Sequence, residues 1–173
     1  MHRFLMSLLL LAAAPASAAE WKPDDPANRK VVELGRETLA AVLAKTGAKE
    51  GKGMPGEPGT GMARFPNGRD VVLSLNHCDD AQKKCGGIML MSFLDPPPKW
   101  DEAKLNAAIL NHLSSHHFAT IGFVNGPKSP MIMVRSIIAE FGMPQGQLYR
   151  ELTDFALSVE MFEDALKAPA TAK

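Results

Sequence analysis

The stretch that decides the fold is Val71-Val72-Leu73-Ser74-Leu75-Asn76-His77-Cys78-Asp79-Asp80-Ala81-Gln82-Lys83-Lys84-Cys85-Gly86-Gly87-Ile88-Met89-Leu90-Met91-Ser92-Phe93-Leu94. Two apolar, alternating runs flank a polar centre that carries both cysteines of the chain. Val71 to Asn76 and Gly87 to Leu94 read as strands because apolar residues return at every second position. Pairing Cys78 with Cys85 in a hairpin sets Leu75 opposite Ile88 and Leu73 opposite Leu90. One face of the hairpin is then apolar on both strands. On this register the cystine is expected on the other face, with Ser74, Asn76, Met89 and Met91.

The start of the chain says where such a bond could form. His2 and Arg3 precede an apolar run from Phe4 to Ala14, and Ala16-Ser17-Ala18 offers the small residues of a signal-peptidase site. The pattern predicts a signal peptide over 1–19, cleaved after Ala18 or Ala19, and a periplasmic or secreted protein. The apolar run is about half the roughly 20 residues that cross a bilayer, so no membrane span is expected after cleavage. In an oxidising compartment two cysteines in one domain pair, so Cys78 and Cys85 are read as a disulfide. A redox-active pair is usually found at a helix start, and these residues close a strand loop instead. His77, Cys78, Asp79, Asp80 and Cys85 are ligand types, but their spacing fits no zinc pattern.

Removing the signal leaves about 155 residues, enough for one domain with a core. The 19 basic and 19 acidic side chains cancel and, with 46% apolar residues, argue against both nucleic-acid binding and disorder. The domain is expected over 20–167, with a frayed tail at 168–173. Asp25-Pro26 reads as a cap and first turn, predicting a helix from about Pro26 to Lys45 that places Val31, Leu34, Leu39 and Val42 in one arc and stops at Gly47. Six glycines fall between Gly47 and Gly61, with Pro55 and Pro58 among them, and this stretch reads as a flexible loop. It lacks the Gly-Lys-Ser/Thr ending of a phosphate loop.

A short strand is expected from Met62 to Phe65, with a turn at Asn67-Gly68 leading into the decisive hairpin. Asp95 and the prolines at 96–98 end that hairpin, and a helix follows from about Asp101 to His116. Strands at about Phe118 to Val124 and Met131 to Ile137 flank a turn at Asn125-Gly126. A final helix from Pro144 to about Lys167 aligns Leu148, Leu152, Phe155, Val159, Phe162 and Leu166 in one apolar seam. The order α-β-β-β-α-β-β-α predicts an α+β domain with a mostly antiparallel sheet and helices on one side.

His112 and His116 are four residues apart on one helix face and could chelate an ion, with His77 as a further candidate ligand. They also continue the line of Leu105 and Ile109, where a histidine serves as a core-edge residue. No zinc-protease motif, nucleophile elbow or free thiol is present, so no catalytic residue and no cofactor is expected. Met89, Met91, Met131 and Met133 read as adaptable apolar filler rather than thioether metal ligands.

The hairpin, the segment His116-His117-Phe118-Ala119-Thr120-Ile121-Gly122-Phe123-Val124 with the strand that follows, and the closing helix after Gly142-Met143 together resemble the YbjN family of proposed bacterial sensory-transduction regulators. His117-Phe118 stands where that family has a basic residue before Phe, and Gly142-Met143 where a Gly-Gly-Val turn is common. His112-Leu113 replaces a Trp-Asn pair, and Asn125-Gly126-Pro127-Lys128 replaces an acidic turn. The resemblance covers more than half the chain. It implies a fold similar to type III secretion chaperones, which present a sheet-and-helix surface to partner polypeptides, often as homodimers, and it supplies no catalytic residues. The function expected is therefore an exported, non-enzymatic protein-binding module, chaperone-like or regulatory, in the cell envelope. The alternative is a metal- or redox-responsive envelope sensor using the cysteine and histidine groups.

Overall fold

A computed structural model describes residues 21–51, 59–79, 81, 83–98, 100–115, 119–126 and 129–167. The expected signal peptide, the centre of the Gly/Pro stretch, His116 to Phe118 and the tail lie outside the described residues. The elements in order are a 3-10 turn (Pro26–Arg29), β1 (Val31–Val32), α1 (Arg36–Thr46), β2 (Lys49–Glu50), β3 (Thr60–Arg64), β4 (Asp70–Cys78), β5 (Cys85–Leu94), α2 (Glu102–Ser115), β6 (Thr120–Phe123), β7 (Met131–Ile138), β8 (Met143–Pro144) and α3 (Gln145–Lys167). Without the two-residue strands β1, β2 and β8, this is the α-β-β-β-α-β-β-α order that the sequence predicts. The main sheet runs β2-β3-β4-β5-β7-β6, antiparallel throughout.

The register of β4 and β5 is the one a Cys78–Cys85 pair requires. Leu75 faces Ile88, Leu73 faces Leu90, and Cys78 faces Cys85. The two sulfurs are 2.09 Å apart. The Asp79 N–H donates to the Lys84 carbonyl at 2.9 Å, so the cysteines occupy the adjacent position without ladder hydrogen bonds, where the two strands come closest. The Asp79 carboxylate closes the loop by accepting the Lys83 N–H at 2.8 Å.

The cystine does not lie on the open side of the hairpin as expected. Cys85 is 1% exposed and joins the core cluster, with Cys78 packed against it. His77 adopts φ +53°, which interrupts strict alternation immediately before Cys78. The Cys85 N–H also donates to the Leu34 carbonyl at 2.7 Å, so the segment leading into α1 lies against the cystine.

The first helix is shorter than the expected Pro26–Lys45. Asp25 does cap, its carboxylate accepting the Ala27 N–H at 2.8 Å, but only one 3-10 turn follows. Val31 and Val32 leave that turn to pair with Pro144 and Met143, an extended conformation that suits β-branched residues. This crossing demands glycine at 142: φ is +77° and a Cβ would sit 2.6 Å from the Val32 carbonyl oxygen. The helix proper starts after Gly35 and ends at Gly47 in the left-handed conformation, as the sequence implies. The Gly/Pro stretch is also less irregular than expected at its ends. Lys49 and Glu50 pair with Arg64 and Ala63, and Thr60 and Gly61 already belong to β3. Backbone pairing at a sheet edge needs no apolar periodicity, so the sequence pattern is silent there.

The α3 seam is the floor of the core: Leu148, Leu152, Phe155, Val159 and Phe162 are all 0% exposed, and Leu166 5%. It packs in one cluster with Leu39 and Val42 of α1, Leu105 and Ile109 of α2, and Leu73, Leu75, Ile88, Leu90, Met131 and Met133 of the sheet. These sheet positions share one face, so all three helices lie on that side.

Phe155→Ala should destabilise the domain by about 3 to 5 kcal/mol, read as a lowered urea midpoint at unchanged slope. A double Cys78→Ser, Cys85→Ser variant should lose about 2 to 3 kcal/mol if the bond closes this short loop. An unchanged midpoint would mean that the sulfurs contribute no covalent restraint in the folded protein.

Candidate functional site: the open sheet face

The residues named for chemistry are placed in separate surroundings. His112 is 6% exposed on the line of Leu105 and Ile109; its Nε2 is 3.0 Å from Ser158 Oγ, and its ring packs on Phe162 at 5.1 Å between centroids. It therefore joins α2 to α3, as the core-edge reading has it. His116, its expected partner, lies outside the described residues. His77 is exposed at the end of β4, beside a recess of about 370 Å³ lined by Cys78, Asp79, Lys84, Cys85, Gly86 and Glu140. Among the described residues no three His, Cys, Asp or Glu side chains converge as a metal would require.

What the fold does assemble is a surface. Helices cover one face of the sheet, and the alternation of each strand dictates what the other face shows. The strand registers align Met62, Val72, Met91, Val134 and Thr120 in one row across β3, β4, β5, β7 and β6. A second row carries Thr60, Ser74, Met89 and Ser136. Phe93 and Ile132 stand together in a third, ending at Gly122, where the space above the backbone is open. Phe93 is 52% exposed and Ile138, at the far end of β7, 81%.

Among the described strand residues, charge on this face is confined to one corner. Arg64 and Asp70 make two parallel hydrogen bonds of 3.0 Å across β3 and β4, and Lys49 lies beyond them at the edge. Arg135 belongs to the helix side, where it meets Glu151 at 3.2 Å. The middle of the open face is thus neutral, an apolar row of Met62, Val72, Met91 and Val134 beside a hydroxyl-bearing row of Thr60, Ser74 and Ser136 around Met89. Such a surface can repack around differing apolar shapes.

The hairpin register sets Met89 and Met91 opposite the apolar face, as expected, and there they are half-buried; Met131 and Met133, read with them as apolar filler, are instead fully buried under the helices. Phe93, Ile132, Val134 and Ile138 were not singled out. Parity would have found them, since each differs by an odd number of positions from a core residue of its own strand.

By sequence the chain matches no family model and no curated protein. Solved structures are similar in fold. YbjN of E. coli, a proposed transcription regulator, superposes with a TM-score of 0.56 at 15% identity, over 80% of this chain and 94% of its own. A chain of the HopA1–SchA chaperone–effector complex superposes with a TM-score of 0.50 at 18% identity, over 76% of this chain and 92% of its own. With the antiparallel sheet and one-sided helices described above, the chain has a YbjN-like, chaperone-like α+β fold.

Proposed function

We propose that this chain is an exported, non-enzymatic protein-binding module, chaperone-like or regulatory, that docks partner polypeptides on the open sheet face in the cell envelope. The observation that carries the reading is the neutral row Met62–Val72–Met91–Val134 at the centre of a face that, among the described residues, no helix covers. A fold shared with a protein of a chaperone–effector complex supports it. Export rests on the basic start, apolar run and Ala16-Ser17-Ala18. The Cys78–Cys85 pairing suits an oxidising compartment.

The size of the face selects its occupant. Five strands about 4.8 Å apart, read over the seven residues from Gly87 to Phe93, give a patch of about 20 by 20 Å. That is roughly 400 Å², below the roughly 800 Å² per partner of a standard stable interface. A homodimer resting on this face alone would be weak. An amphipathic helix of about three turns, roughly 10 Å across, fits within it. Its apolar stripe must be free of charge, because an unpaired charge buried on a neutral face costs several kcal/mol.

Binding of a synthetic amphipathic peptide of about three turns, apolar on one side and neutral on the other, tests the reading. Met91→Lys should weaken binding at least tenfold, whereas Leu157→Lys, on the exposed side of α3, should leave it unchanged. Equal effects of the two substitutions would remove the sheet face as the docking surface. A dimer in light scattering that Met91→Lys dissociates would replace the partner peptide by a second copy. Expression with the native N-terminus should yield a shortened periplasmic form, and an uncleaved cytoplasmic product would overturn export.

The sensor reading draws on one observation, the cystine lining the recess beside His77, Asp79 and Glu140. It requires peptide binding to change on reduction of the bond.

A further inference from the structure

The distribution of methionines divides the molecule by reactivity. Met131 and Met133 are 0% exposed under α3, and Met143 is 4% exposed at the β1–β8 crossing. Met62, Met89 and Met91 sit half-buried on the open face, each with one side toward solvent. Met62 and Met91 share one row, with Val72 between them, and Met89 stands two residues along β5 from Met91. The core thus shields its thioethers, and the apolar docking face offers its own.

We propose that Met62, Met89 and Met91 form a reversible oxidation switch on the docking face. The inference rests on the docking reading above and names the regulation of that same site. Its oxidant is hydrogen peroxide. A sulfur lone pair of the thioether attacks one peroxide oxygen, an S–O bond forms, the O–O bond breaks, and the other oxygen departs as water after proton transfer. Sulfur is oxidised by two electrons and the peroxide is reduced by two. The product is a sulfoxide, a strong hydrogen-bond acceptor where an apolar group stood.

Around Met62 and Met91 the face has little with which to satisfy such acceptors, whereas Met89 stands between Ser74 and Ser136 and its sulfoxide is the most easily accommodated of the three. Around Met91 stand Val72, Val134 and the neighbouring strand residues, and the Arg64 guanidinium, at the corner of the face, is held by Asp70. A partner's apolar stripe laid over a sulfoxide would bury an acceptor that water had been solvating, at a penalty worth at least tenfold in affinity. In the free protein the sulfoxides remain hydrated, so the fold itself is unaffected. Methionine sulfoxide reductases, which act on the two sulfoxide epimers, return the thioether and restore the face. Met161 of α3 is 39% exposed but lies on the helix side, so its oxidation leaves docking unchanged.

The test uses the whole mature protein, its cystine intact, exposed to dilute hydrogen peroxide. Peptide mass mapping should place single oxygens on Met62, Met89 and Met91 well before Met131 or Met133. The neutral amphipathic peptide should then bind at least tenfold more weakly, recover after treatment with the reductases, and remain bound by a Met62→Leu, Met89→Leu, Met91→Leu variant in peroxide. Oxidation of Met131 or Met133 at the rate of the open-face residues would overturn the proposal. So would undiminished peptide binding after all three are oxidised, or equal loss in the leucine variant. Failure of untreated protein to bind the peptide would instead sink the docking reading, which keeps the two failures distinct.

Discussion

The antiparallel pairing of β4 with β5 is the constraint on which the rest of the structure depends. Once Leu73 faces Leu90 and Leu75 faces Ile88, the period of two assigns every residue of both strands to one face or the other. A slip by one residue would turn Ile88 and Leu90 outward and bring Met89 and Met91 under α3. The Cys78–Cys85 pairing at the end of the hairpin opposes that slip, and β7 inherits the register through Leu90–Arg135 and Leu94–Met131.

One-sided burial follows from that register. The α3 seam covers the apolar face, and α1 and α2 complete the layer through Leu39, Val42, Leu105 and Ile109. A two-layer domain built this way leaves its second sheet face to solvent. An ordinary solvated face of an antiparallel sheet is polar. Here Met91, Phe93, Ile132 and Val134 occupy it instead, around a Val72 that is only 6% exposed, and their desolvation by a partner is favourable in a way that their exposure to water is not. The same thioethers that let the surface adapt also make it open to oxidation, so adaptability and sensitivity share one physical origin.

The hairpin register, the helix seam and the stop at Gly47 were legible because each depends on local periodicity or on a single backbone requirement. The 3-10 turn in place of a longer first helix was not. Asp25-Pro26 starts a turn equally well in either case, and what ends it is the pairing of Val31 and Val32 with residues more than a hundred positions away. The burial of Cys85 depends in the same way on His77 leaving the extended region and on the Leu34 carbonyl. Of the candidate site, the register already sets Met89 and Met91 opposite the apolar face of Leu73, Leu75, Ile88 and Leu90, but the burial of Met131 and Met133 on the other side was not legible.

The sequence alone determined the element order, the β4–β5 register and the apolar seam of α3. Each is written in neighbouring residues or in a spacing of two, three or four. The tertiary structure alone decided that the cystine enters the core, that Met131 and Met133 are buried under α3, and that Met62, Val72 and Val134 align with Met91 in one row. The physical reason is that alternation within a hairpin fixes its own two faces without saying how strands distant in sequence line up beside it. Only the pairing of β3 and β7 with the hairpin, and the arrival of α3 from the far end of the chain, makes that choice.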